Sequence, residues 1–240
     1  ASGGLVIQGR SVLIQPVEED GMSDPDTFAR QAEHLLDDDE VVAIFGGWTS
    51  ASRKAMLPVL EARDALLFYP VQYEGQECSA HVVYGGSVPN QQSEPAVNWM
   101  LANRSQRILL IGSDYVYPRT ANRIMRTQVE REGGTVVDEL YLPLGSGEVS
   151  ALVESIRQAS ASGPVVVINT LNGDSNLAFF EALHNSGLID PEARNSPVTV
   201  LSLSVSEEEA LAIGTDRISG TFASWSYFQS LDGDASRAFA

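Results

Sequence analysis

Short apolar runs at 41–45, 65–69, 108–112, 135–142, 164–168 and 198–203, rich in Val, Ile and Leu and bounded by turn residues, punctuate the chain. Runs of this length and composition predict buried strands. Between most of them the apolar positions recur at helical spacing. Asp24 predicts an N-cap with Pro25 at the first helical position, and Phe28, Ala32, Leu35 and Leu36 then share one face. Further helices are predicted from Ser50 to Asp64 across Pro58, from Pro95 to Asn103, and from Pro118 to a stop at Gly133-Gly134. Two more carry Leu152, Val153 and Ile156, and Leu177, Phe180 and Leu183. Strands alternating with helices of this size predict repeated β-α-β units and a mainly parallel sheet.

The alternation breaks between Glu74 and Pro89, where an irregular stretch holds a strand-like His81-Val82-Val83-Tyr84 before a new β-α series begins. This predicts a first lobe at 1–88 and a second at 89–224. The chain then returns towards the first lobe over 225–240, with a helix starting at Asp234.

Charge narrows the partners. Thirty-two acidic residues against 15 basic ones give a formal net charge of −17, and Lys54 is the one lysine. Such a chain is repelled by phosphate backbones and anionic headgroups, which excludes nucleic acid and membrane surfaces as expected partners. No apolar stretch approaches the length of a membrane span, and Ala1-Ser2-Gly3-Gly4 resembles no signal peptide, which leaves a cleaved leader open. Asp37-Asp38-Asp39-Glu40 and Glu207-Glu208-Glu209 read mostly as solvated surface; neither has the alternating ligand spacing of a calcium loop, so no metal is expected. Cys78 stands alone and says nothing of redox compartment.

Chemistry gathers where apolar runs meet helices: Gly46-Gly47-Trp48-Thr49-Ser50, Phe68 to Gly75, Gly112 to Pro118, and Asn169 to Asp174. Ligands of open α/β sheets collect at the carboxyl ends of strands, so these segments describe a polar, cation-poor binding cleft. Ser50 and Asp174 read individually as helix N-caps, and a helix N-terminus also offers N–H groups to a carbonyl oxygen. Tyr69, Tyr115 and Tyr117 recur at strand ends, as walls of a small-molecule pocket would. With Trp48, Thr49, Gln72 and Asn172 they make up the expected ligand-binding set, suited to a small neutral amide. Catalysis is not expected. His34, His81 and His184 are lone and widely separated, and Lys54 lies far in sequence from Cys78.

Together, GGWTSASRK (46–54), LFYPVQYEG (67–75), PNQQ (89–92), GSDYVYPRTAN (112–122), NTLNGDSN (169–176) and ASWSYFQS (223–230) resemble the substrate-binding proteins of urea ABC transporters. The resemblance runs from about Gly3 to Phe239. The amide-sensing regulators of amidase operons share the SDY-x-YPR and YEG elements but typically differ at Trp48, at Gln72 and across NTLNGDSN. The resemblance implies a type I periplasmic-binding fold: two α/β lobes, each a mainly parallel sheet flanked by helices, closing on a ligand. Relatives extend further at both ends, so the chain looks incomplete, its first lobe lacking an initial strand and helix. It also implies an extracytoplasmic receptor, periplasmic or at the cell surface, that takes urea or a short amide without a cofactor and hands it to permease subunits of an ABC importer. The alternative is a cytoplasmic short-amide sensor. Ser50, Tyr69 and Tyr115 match pocket residues of the amide-binding relatives.

Overall fold

Residues 4–189 and 196–239 are described by a computed structural model of the chain. They fall into two compact units, one running to Val71 and including Glu77–Gly85, the other made of Gln72–Gln76 and the residues from Gly86 onward.

The first unit opens with an antiparallel hairpin, β1 (Leu5–Ile7) and β2 (Arg10–Val12), all of whose strand residues are exposed. Helix α1 (Pro25–Asp37) follows, capped as its sequence predicts: the Asp24 carboxylate accepts the Thr27 N–H at 2.8 Å. Strand β3 (Ile44–Phe45), helix α2 (Ser50–Ala62), β4 (Leu67–Tyr69) and β5 (Val82–Tyr84) complete the unit, with a parallel sheet in the order β3-β4-β5. Helix α2 runs uninterrupted through Pro58. Its cap is Thr49 rather than Ser50. Thr49 is extended, so its hydroxyl reaches the Ser52 N–H at 3.0 Å, whereas Ser50 is already helical.

The second unit is built on α3 (Ser93–Asn103), β6 (Arg107–Ser113), α4 (Val116–Arg131), β7 (Thr135–Leu142), α5 (Ser150–Ala161), β8 (Val165–Thr170) and α6 (Asp174–Asn185). It continues with β9 (Val198–Ser202), α7 (Glu207–Ile213), α8 (Thr215–Ile218), β10 (Phe222–Ala223) and α9 (Asp234–Phe239). The five strands are parallel in the order β10-β9-β8-β6-β7. Alternation along each strand sorts side chains onto two faces. Leu109, Ile111, Val165 and Val167 pack with Leu152, Ile156, Phe179, Phe180 and Leu183. Ile108, Leu110, Val166 and Ile168 pack on the other face with Val97, Met100, Leu101, Met125 and Val129. Cover on both faces explains why these strands read as unbroken apolar runs.

Of the three prolines expected to open helices, Pro25 does so, whereas Pro95 and Pro118 lie inside a first turn: α3 begins at Ser93 and α4 at Val116, two residues early. The N–H that proline lacks has no intrahelical partner in the first turn, so the helix can start ahead of it. The acidic run 207–209, expected as mere solvated surface, is the first turn of α7. Ser206 and Glu209 form a reciprocal capping box there, and Glu207 accepts the backbone N–H groups of Gln229 and Ser230. Those bonds, the contact with Ser230 foremost, hold the Glu207 carboxyl below its ordinary range.

Candidate functional site

The chain leaves β6 through α4 to β7 on one side, and β8 continues to β9 and β10 on the other. The carboxyl ends of β6 and β8 therefore flank the topological switch point of the second unit, where open sheets bind ligands. Ser113 and Asn172 tie the two ends together, the Asn172 N–H donating to Ser113 Oγ at 3.0 Å. Gly112 lets the strands approach: a Cβ there would lie 2.5 Å from Thr170 Oγ1 and 2.8 Å from Pro118 Cβ.

Four of the expected ligand residues stand at this switch point. Tyr115 caps α4 and is half-buried, and its ring centroid lies 6.4 Å from that of Tyr117. Tyr117 itself is buried in the core under α4. Asn172 is buried with its amide donating to Thr170 O at 3.1 Å. Asp174 is exposed in the first turn of α6. It is not the cap of α6. That position falls to Gly173, whose φ of 61° and ψ of −142° suit glycine alone. Asp174 instead belongs to the first turn of the helix, where its charge complements the dipole.

Gln72, the fifth expected residue in this unit, is buried at the same carboxyl edge of the sheet, beside the end of β9. Its amide nitrogen lies 3.4 Å from both Leu203 O and Ser204 Oγ, just beyond β9. Gln92 does similar work, donating to Leu203 O at 3.0 Å and Ser224 O at 2.7 Å. Only its place in PNQQ marked it in the sequence.

In the first unit Trp48, Thr49, Ser50 and Tyr69 come together where β3 and β4 end and α2 begins. The Tyr69 hydroxyl donates to Trp48 O at 3.1 Å, and Thr49 Oγ1 lies 2.7 Å from Ser52 Oγ. Trp48 is half exposed, at 45%. Behind them stands Arg53, fully buried, which the sequence did not single out as a site residue. Its Nε lies 2.7 Å and its Nη2 3.3 Å from the two carboxylate oxygens of Glu77, while Nη1 donates to Ser50 Oγ at 3.1 Å. Glu77 also accepts from Lys54 and from the Tyr84 hydroxyl. Burial pushes the Glu77 carboxyl up, but the hydrogen bonds of Arg53 and Lys54, the charge of Arg53 and the Tyr84 hydroxyl together bring it down to about 2. One signal pointed at Arg53: it stands three residues after Ser50, hence on the same face of α2.

On the surface of this unit His34 Nδ1 lies 3.2 Å from Glu19 and 3.4 Å from Asp39. The three side chains are exposed and bring one imidazole and two carboxylates together on the surface. Among the described residues, no helix is long and apolar enough to cross a membrane.

A parallel α/β sheet with helix N-termini, hydroxyls and amides collected at a switch point is the plan of a small-molecule binding domain. The chain belongs to the periplasmic binding protein domain family, whose model matches residues 1–240, a family of solute-binding domains rather than enzymes. Among solved structures it is similar to an ABC transporter solute-binding protein from R. palustris in complex with 4-hydroxybenzoate. The TM-score is 0.82 at 23% identity, covering 93% of this chain and 60% of that one. A solute-binding protein from Rhodopseudomonas palustris HaA2 in complex with p-hydroxybenzoic acid matches at a TM-score of 0.81 and 22% identity, with 93% and 60% covered. An amino acid ABC transporter substrate-binding protein from Pseudomonas fluorescens matches at 0.72 and 17%, with 91% and 58% covered. At such identities the likeness is one of fold. The chain spans about 60% of the length of these proteins.

Proposed function

We propose that this chain is the binding part of an extracytoplasmic solute receptor that delivers urea, or a closely related short amide, to the permease of an ABC importer. The observation that carries the reading is the chemistry of the strand ends. Trp48, Thr49, Ser50 and Tyr69 in the first unit, and Gln72, Tyr115, Tyr117, Asn172 and Asp174 in the second, offer hydroxyls, amides, aromatic faces and one carboxylate, and no cation. The nearby guanidinium of Arg53 is matched by Glu77. Such a set suits a neutral solute with N–H donors better than the aromatic acids held by two of the structural neighbours.

In this reading Ser50 and the N–H groups at the start of α2 are suited to a carbonyl oxygen, and Asp174 is suited to accept from an amino group. A site that matches each polar atom rejects analogues lacking one, because a buried partner is then left unsatisfied. Titration calorimetry with urea, acetamide, leucine and 4-hydroxybenzoate is the test. Urea is expected to bind most tightly, with Asp174→Ala weakening it by about tenfold or more. Binding of 4-hydroxybenzoate or leucine without urea would overturn the reading. Tighter binding of acetamide than of urea would shift it to a short-amide sensor.

A further inference from the structure

A guanidinium with no solvent exposure is costly to bury, and replacement by a well-packed apolar side chain is often neutral or stabilising. Arg53 makes a set of contacts that no apolar residue reproduces. Its fork is matched in two-pronged fashion by Glu77, at 2.7 and 3.3 Å. The guanidinium carbon stands 4.7 Å from the centroid of the Tyr69 ring and 5.8 Å from that of Tyr84. Arg53 Nη1 reaches Ser50 Oγ at 3.1 Å. Tyr84 closes the circuit by donating to Glu77 at 2.9 Å.

Two consequences follow from hydrogen-bond chemistry. The charge-assisted bond from Arg53 Nη1 fixes where the Ser50 hydroxyl stands at the start of α2. A cation over an aromatic face also restrains the ring, and the Tyr69 hydroxyl is already directed at Trp48 O.

We infer that Arg53, held by Glu77 and Tyr84, is the positioning residue that fixes the Ser50 hydroxyl and seats the Tyr69 ring for solute recognition. The inference rests on the reading that Ser50 and Tyr69 meet the solute. It adds that their geometry is imposed by a buried charge that never touches it.

The test uses Arg53→Lys, which keeps the charge but loses the planar fork, with Glu77→Gln and Tyr84→Phe as milder variants. Each is checked for native circular dichroism, for urea affinity, and for the 19F signal of fluorotyrosine at Tyr69. In Arg53→Lys the Tyr69 signal is expected to move and the urea Kd to rise about tenfold. Lysine gives no rescue, and adding Ser50→Ala to Arg53→Lys costs little more, because the two act as one unit. Glu77→Gln and Tyr84→Phe should move the signal in the same direction by less.

An unchanged Tyr69 signal in folded Arg53→Lys overturns the inference, as does full additivity with Ser50→Ala. If Arg53→Lys does not fold, unmoved signals in both milder variants overturn it. If the wild-type protein fails to bind urea, the functional reading falls, while the Tyr69 signal still decides whether Arg53 positions the ring.

Discussion

The two units carry the same alternation of strands and helices and hold themselves together by different means. In the second, β6 and β8 are covered on both faces, and Phe179, Phe180, Leu109 and Val167 have no exposure at all. In the first, the sheet strands are two or three residues long, Val42 is 96% exposed and Phe45 75%. A cavity of about 840 Å³ runs beside α1, lined among others by Ile14, Phe28, Leu35, Val42, Ile44 and Met56. Among the described residues β3 pairs only with β4. The polar chemistry differs too. The switch point of the second unit rests on neutral groups: Asn169 donates to Asn176 at 2.9 Å and to Ser202 at 3.2 Å, and accepts the Leu171 N–H at 2.9 Å. The strand ends of the first unit rest on the ionic cluster of Arg53, Lys54 and Glu77. The contrast teaches that a parallel sheet's rigidity comes from cover on both faces, and that where the apolar cover is thin a buried charge pair takes over the ordering of nearby side chains.

The strongest way to break this comparison is to hollow out one apolar position in each unit. Phe179→Ala is expected to cost about 3–5 kcal/mol in guanidinium unfolding, because the neighbours of a fully buried ring collapse only partly into the space it leaves. Val42→Ser in the first unit should stay within about 0.5 kcal/mol, as for other exposed positions. Equal costs would mean that the two units do not differ in cover.

A smaller effect is expected from the neutral network. Asn169→Ala removes partners from Asn176, Ser202 and the Leu171 N–H, all buried, and should cost about 1–3 kcal/mol by the same measurement. Because Asn169 bears no charge in either state, that cost should be the same at pH 5 and pH 8.

The ionic cluster sharpens the contrast through pH. The Glu77 carboxyl titrates at about 2 in the folded protein against an ordinary value of 4.5. The unfolded chain therefore binds the extra proton first as pH falls. The stabilisation is complete above about pH 4.5 and is lost between 4.5 and 2. Melting temperatures measured from pH 6 down to pH 2.5 should fall less steeply in Glu77→Gln than in the wild type. Parallel slopes would remove Glu77 from the acid response.

Much of this architecture was legible beforehand where one cause acts alone. Asp24-Pro25 starts a helix by capping and fixed φ, and 135–142 is a strand because its composition permits little else. The hairpin of β1 and β2 was not legible. Its strand residues are exposed on both faces, so no alternation of apolar and polar positions betrays it. Ser50 and Asp174 each stand one residue inside the helix they were expected to cap. Neighbouring residues compete for that role, and Gly173 wins on backbone conformation alone.

From residues in order, one can derive the β-α-β alternation, the lack of Lys and Arg within the segments 46–50, 68–75, 112–118 and 169–174, and the helix that places Arg53 on the same face as Ser50, because these depend on neighbours a few positions apart. Only tertiary structure decided that Asn172 turns its amide inward, that Gln72 and Gln92 converge on Leu203 O, and that Glu77 meets Arg53 across 24 positions. Those pairings join residues far apart in the chain, and burial makes them obligatory: a polar group taken from water must find its partner wherever the fold has brought one.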